Sequence, residues 1–185
     1  MITRKLAFGG LFIALATVLP VMFHVVGLGK VFLPMHIPVL LAGFFCGPVV
    51  GMLVGMVSPL LSAFLTGMPP LTPPVAQMMV FELALYGLLT GLLYEKLHLG
   101  GYVSLIGAMV GGRVAYGILG YLVLPLFGFE KVPLWAPLLG AIGQSLPGVI
   151  IQLVGVPLVL SLSKRDWRVL FPEKRSLTPG GLHHG

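Results

Sequence analysis

Long apolar stretches, each interrupted by glycine, proline or charged residues, dominate the chain and set its predicted elements. A helix that crosses a bilayer needs about 20 predominantly apolar residues. Six stretches approach that length, and the glycines and prolines between them do not continue a helix easily. The predicted helices span residues 6–26, 33–47, 49–65, 75–94, 102–124 and 134–162. The pattern therefore predicts an all-α integral membrane protein with six transmembrane helices.

The boundary between the second and third predicted helices lies at Gly47-Pro48. One straight helix over residues 37–65 would be about 44 Å long at a rise of 1.5 Å per residue. That length exceeds the hydrocarbon core of a bilayer, which is about 30 Å thick. Two helices joined by a tight turn at Gly47 therefore fit better than one.

Composition supports a membrane protein and excludes other classes. The 185 residues are 57% hydrophobic and only 9% charged, with a mean hydropathy of +1.06. Because a soluble domain carries about a quarter charged residues, an ordinary soluble enzyme, a disordered chain and a fibrous protein are excluded. The net charge of +6 would suggest a nucleic acid partner in a soluble protein. Here the positive charges are explained by membrane orientation, and we expect no nucleic acid partner.

The basic residues collect on one side of the predicted bundle. Lysine and arginine concentrate in cytoplasmic loops, and an even number of crossings places both chain ends on the same side. With six helices, one side holds Arg4, Lys5, Lys96, Lys164, Arg165, Arg168, Lys174 and Arg175, and the other holds Lys30 and Lys131. We therefore expect both termini in the cytoplasm, with a membrane domain over residues 1–163 and a basic tail over residues 164–185.

Two charged residues, Glu82 and Arg113, fall well inside predicted spans. Glu82 precedes the polar link at Glu95 by thirteen residues, and Arg113 follows Gly100 by thirteen. Both therefore lie about 20 Å from the cytoplasmic edge, on consecutive antiparallel helices. Charged groups at such depth face a protein interior or a wet cavity. Three interpretations stay open: a structural ion pair, contact with a polar ligand in an outward-facing cavity, or a proton relay.

Other polar side chains extend this region toward the outer half of the bundle. Each alone is a common interhelical hydrogen bond, but together they predict a polar lining that captures a small solute from outside. The candidate ligand contacts are Glu82, Arg113, Tyr86, Tyr116, Gln144, Gln152, His36 and Gln77.

Small residues form stripes on two helices, and such stripes let another helix approach closely. In the first helix the stripe includes Gly10 and Ala14, and in the third it includes Gly51 and Gly55. The helix that approaches can belong to this chain or to another subunit.

Motifs for energy conversion and catalysis are missing from the sequence. It contains no nucleotide-binding loop, no His-Glu-x-x-His, no cysteine and histidine cluster and no Gly-x-Ser-x-Gly. We therefore expect no metal, no cofactor and no enzymatic activity, and a partner that supplies energy.

Five short segments carry a resemblance to a known family. They are residues 4–16, 33–43, 47–55, 64–70 and 81–87. Together with the six-helix layout, they make the chain resemble the substrate-binding S component of energy-coupling factor (ECF) vitamin transporters of prokaryotes, over about residues 4–163.

The resemblance implies a mechanism. An S component of this family has six helices with cytoplasmic ends and binds a vitamin near the outer face, under the loops after helices 1 and 3. It joins a membrane T component and two cytoplasmic ATPases, and it topples in the membrane to carry the ligand inward. The family's Ala-xxx-Ala motif, which meets the T component, corresponds here to Gly10 and Ala14.

The sequence leaves the ligand and the energy source open. Pantothenate is the first hypothesis, because Arg113 can pair with its carboxylate. Pyridoxine and riboflavin are alternatives, and a neutral ligand would leave Arg113 paired with Glu82. The competing functional hypothesis is a self-sufficient secondary transporter or channel for a small solute.

Overall fold

The computed structural model describes residues 2–25, 34–72, 75–128 and 135–170. Within these ranges the chain forms six α-helices. We number them α1 (Ile2–Val25), α2 (His36–Cys46), α3 (Pro48–Thr66), α4 (Val75–Gly91), α5 (Gly101–Val123) and α6 (Trp135–Leu170). A π-helical turn (Leu92–Lys96) continues α4, and a 3-10 turn (Leu124–Phe127) continues α5.

The predicted break at Gly47 is confirmed. Gly47 adopts φ +88° between α2 and α3, a left-handed backbone conformation that glycine reaches without steric penalty. Pro48 then begins α3, where its missing N–H removes no helical hydrogen bond. The sequence therefore ends one helix and starts the next at a single residue.

Five of these helices are long and apolar enough to cross a membrane. The exception is α2, which has 11 residues and a length of about 16 Å at 1.5 Å per residue. The sequence predicted that this helix begins near residue 33. Residue 33 lies outside the described ranges, and Pro34 and Met35 form a turn before His36. Large apolar side chains on the outer surface of the bundle, such as Phe64 at 74% exposed, are typical of contact with lipid.

The last helix is longer than the sequence predicted. We expected it to end near residue 162, but α6 continues to Leu170. Residues 163–170 contain neither glycine nor proline, so nothing in them stops a helix. The rest of the predicted basic tail, from residue 171, lies outside the described residues, and the division into two regions stays a prediction.

Both ends of the described chain lie at the same end of the helix bundle. We call this end of the bundle the Lys5 end. Lys5, near the start of α1, forms a 3.0 Å ion pair with Glu95 after α4, and Glu95 also lies against Gly47. Leu160 of α6 faces Gly101 at the start of α5. The start of α1 and the C-terminal half of α6 therefore lie at the same end, as an even number of crossings requires.

Glycines bring α2, α3 and α4 into backbone contact. A Cβ placed on Gly51 of α3 would come within 2.6 Å of the Gly87 carbonyl oxygen of α4 and 2.7 Å of the Gly43 Cα of α2. Gly55 lies in the same way against the backbone of Leu83. The small-residue stripe predicted on α3 is therefore filled by α4 of this chain.

Candidate functional site

Glu82 lies at the centre of the bundle on α4, which packs against α2, α3 and α5. It is 4% exposed. Its Oε1 lies 3.2 Å from Nη1 of Arg113 on α5, whose side chain is 13% exposed. Helical rise predicted that these two charges share a level, and the structure confirms it. Both side chains face the protein interior, where they lie next to each other. The pairing compensates much of the electrostatic penalty of placing each charge there.

His36, the first residue of α2, lies beside this pair. Its side chain is 3% exposed, and its Nε2 lies 3.9 Å from Oε1 of Glu82, which is too long for a hydrogen bond. Both ring nitrogens lack a hydrogen-bond partner within the described part of the chain, as does Oε1 of Glu82. We call Glu82, Arg113 and His36 the buried polar cluster.

Tyr86 closes one side of the buried polar cluster. It lies one turn after Glu82 on α4, is 1% exposed, and meets the His36 ring edge to face at a centroid distance of 5.2 Å. Its own ring packs on Gly112 of α5, where an added Cβ would lie 3.0 Å from Cε1. The glycine beside Arg113 therefore makes room for the tyrosine ring. Tyr116, half-buried on α5, also lies near Glu82 and Arg113.

Three predicted contacts are glutamines, and the structure describes the side chains of two of them. Gln77 is exposed and its Nε2 donates a 3.3 Å hydrogen bond to the Leu71 carbonyl oxygen, so it fixes the loop before α4. Gln152 of α6 is 1% exposed, and its Nε2 has no hydrogen-bond partner among the described residues. The side chain of Gln144 lies outside the described residues.

A family model for the substrate-specific component of ECF transporters matches residues 4–160. The match covers most of the chain. The chain belongs to this family. A search of curated proteins found no match. Membership makes the chain the substrate-capture subunit of a multi-pass membrane transporter, and members of this family are transporter subunits rather than enzymes.

The buried polar cluster places an acid, a base and an imidazole together inside the apolar bundle of this ECF component. Polar and charged groups inside a membrane bundle are expensive and are commonly functional. No group of three potential metal-ligating side chains occurs within the described ranges, so the cluster itself offers hydrogen bonds and charge. Its chemistry suits recognition of a polar organic molecule.

A second polar feature of the ECF component, which the sequence did not predict, fixes the loop after α3. Oγ of Ser62 donates a 2.8 Å hydrogen bond to the Met68 carbonyl oxygen. Oγ1 of Thr66 donates to the Ser62 carbonyl oxygen at 2.7 Å, lies 3.2 Å from the Met68 carbonyl oxygen and accepts from the Met68 amide at 3.2 Å. The Met68–Pro69 peptide bond is cis. The sequence signal for this fixed loop was the pair of hydroxyl residues, Ser62 and Thr66, just before a proline-rich segment. Such side chains commonly form hydrogen bonds to nearby backbone groups.

A groove of about 630 Å³ lies at the Lys5 end, between the start of α5 and the C-terminal half of α6. It is lined by Tyr94, Gly100, Gly101, Tyr102, Val154, Pro157, Leu158, Leu160 and Ser161. None of the predicted ligand contacts whose side chains the structure describes lines this groove. The outward-facing cavity predicted for this ECF component is therefore a different feature, and it stays a prediction.

Proposed function

We propose that this ECF component captures a water-soluble vitamin from outside a prokaryotic cell, in a site that includes the buried polar cluster. The observation that carries the proposal is the cluster itself: an acid, a base and an imidazole buried together in an otherwise apolar bundle. A structural ion pair needs only Glu82 and Arg113. An interpretation of the cluster as a structural ion pair does not explain why His36 is buried beside these two residues without a hydrogen-bond partner in the described part of the chain.

The proposed orientation places the Lys5 end in the cytoplasm. Both described ends of the chain lie there, and the basic residues flanking them follow the distribution found in cytoplasmic segments. Six crossings, the number that the sequence predicts, agree with this arrangement. The cluster then lies toward the outer leaflet, below the loop that Ser62 and Thr66 fix.

Pantothenate is the first candidate ligand, and pyridoxine and riboflavin are the alternatives. A carboxylate ligand would bind Arg113 by a charge-assisted hydrogen bond, and Glu82 would then share that guanidinium. Tyr86 and Tyr116 are the further proposed contacts beside the pair, and Gln144 and Gln152 are proposed on α6. The uncharged alternatives would leave the 3.2 Å pair intact.

The proposed partners are a T component in the membrane and two ATPases in the cytoplasm. Gly10 and Ala14 are exposed on α1, and nothing lies within 4 Å of a Cβ placed on Gly10. This open strip lets a helix of another subunit approach closely. It lies opposite the α1 residues that pack into this chain, such as Phe12 and Ala16.

Ligand binding by the purified chain in detergent, without ATP, tests the proposal. Native mass spectrometry identifies a co-purified vitamin, and calorimetry with pantothenate, pyridoxine and riboflavin measures affinity. If the ligand is a carboxylate, Arg113→Ala weakens binding by about 2–5 kcal/mol, because the substitution leaves a buried charge unpaired. Glu95→Gln, at the Lys5 end, is the matched control and leaves affinity unchanged. Solute flux in liposomes that contain this chain alone would instead support a self-sufficient transporter or channel.

A further inference from the structure

His36 is a buried imidazole whose two ring nitrogens have no hydrogen-bond partner in the described part of the chain. Its side chain is 3% exposed. Buried polar groups in folded proteins are almost always hydrogen-bonded. Aromatic contact with Tyr86 holds the ring in place without satisfying either nitrogen. Both ring nitrogens can therefore accept a partner from outside the described residues, such as a ligand.

The spacing between His36 and Glu82 suits one bridging oxygen atom. Nε2 of His36 and Oε1 of Glu82 are 3.9 Å apart. An oxygen placed to one side of the line between them reaches both at about 2.8 Å, an ordinary hydrogen-bond distance, with an angle of about 90° at the bridging atom. A hydroxyl group has one donor and two acceptor sites. It can therefore donate to Glu82 and accept from Nε2–H of His36 at the same time.

The charge balance of the buried polar cluster favours a neutral bridging group. The carboxylate of Glu82 is already opposed by Arg113 at 3.2 Å. A second carboxylate placed at the bridging position would lie next to Glu82, where like charges disfavour each other. A hydroxyl adds no charge to a site where an uncompensated charge is expensive.

We propose that His36 and Glu82 together recognise one hydroxyl group of the ligand, and that this contact selects hydroxyl-bearing solutes. The inference rests on the proposed capture function and names the ligand chemistry at that site. Glu82 accepts the hydroxyl proton in a hydrogen bond, Arg113 holds the carboxylate in position, and His36 donates from the opposite side. Any charged group of the ligand then lies away from this contact.

Deoxy analogues test the contact. The probes are whichever of pantothenate, pyridoxine and riboflavin binds, and its analogues in which each hydroxyl in turn is replaced by hydrogen. One analogue binds the unmodified protein about 10- to 100-fold more weakly, as expected for loss of a hydrogen bond to a charged group. In His36→Leu that difference shrinks by about 2- to 10-fold, because the hydroxyl loses its bond to Nε2 and keeps only its bond to Glu82.

Two further variants separate recognition from a structural role. His36→Gln keeps an amide donor near the position of Nε2 and restores part of the discrimination between parent and analogue. Ser161→Ala, in the groove at the Lys5 end, is the matched control and discriminates as the unmodified protein does. A merely structural His36 would change all affinities in proportion and leave every ratio intact, and that result overturns the inference.

The outcomes also separate this inference from the proposed function. If a vitamin binds but no deoxy analogue is weakened, the capture function stands and the hydroxyl contact is wrong; the bridging position then belongs to water. If none of the three vitamins binds, the proposed capture of a vitamin fails and the inference fails with it.

Discussion

The energetic coupling between Glu82 and Arg113 is the most direct test of the buried polar cluster. The side chains are 5% and 13% exposed, and they meet at 3.2 Å. Removing one partner of such a pair leaves an uncompensated buried charge, which costs about 3–5 kcal/mol. Removing both charges together costs less than the sum of the single changes, because no buried charge is then left alone.

The experiment is a double-mutant cycle of Glu82→Gln, Arg113→Met and the combined variant. Thermal unfolding in detergent, followed by tryptophan fluorescence, measures stability in the absence of ligand. For a chain of this size, 3–5 kcal/mol corresponds to a fall in Tm of about 6–20 °C. Each single variant shows a fall in this range, and the combined variant recovers part of it.

The Lys5–Glu95 pair supplies the matched control. It has a similar length of 3.0 Å, but its side chains are 30% and 42% exposed. Exposed ion pairs contribute about 0–1 kcal/mol, so Glu95→Gln shifts Tm by no more than a few degrees. If Glu82→Gln behaves like Glu95→Gln, or if the effects of Glu82→Gln and Arg113→Met simply add, the reasoning about a buried coupled pair is refuted.

Three further predictions concern packing, partner association and the loop. Gly51→Ala destabilises the protein by about 1–3 kcal/mol, because the added methyl group meets backbone atoms of α4 that cannot move aside. The control variant Gly10→Ala leaves Tm unchanged. Equal Tm shifts for the two variants would contradict the packing described for Gly51. Gly10→Leu abolishes co-purification with a T component while calorimetry shows unchanged vitamin affinity, and retained co-purification would remove α1 from the interface. Ser62→Ala loses the 2.8 Å hydrogen bond to Met68 and weakens vitamin binding severalfold, and unaltered affinity would show that this loop does not cover the site.

The shared depth of Glu82 and Arg113 was predictable from sequence because it depends only on helical rise. Counting residues from the same membrane edge places both at one depth, and few charged residues occur inside the apolar stretches. The break at Gly47 was predictable for a similar reason, since a single helix would be too long for the bilayer.

The apolar pattern did not predict which side of each helix faces lipid and which faces the protein interior. In a membrane, lipid tails and the protein interior are equally apolar, so neighbours such as Phe81 and Leu83 look alike in sequence. The structure leaves Phe81 at 56% exposed and Leu83 fully buried. Gln77 was assigned to the site for this reason, although it faces outward and bonds to the loop.

The backbone contacts among α2, α3 and α4 restrict how the protein can respond to a solute. Where Gly43, Gly51 and Gly87 meet, no side chains intervene that could change rotamer and let these helices separate. The three helices therefore behave as a stiff wall carrying Glu82 and His36. A widening that admits a solute is easier where helices meet through side chains, as at α5, where Leu89 and Tyr86 lie against Gly111 and Gly112.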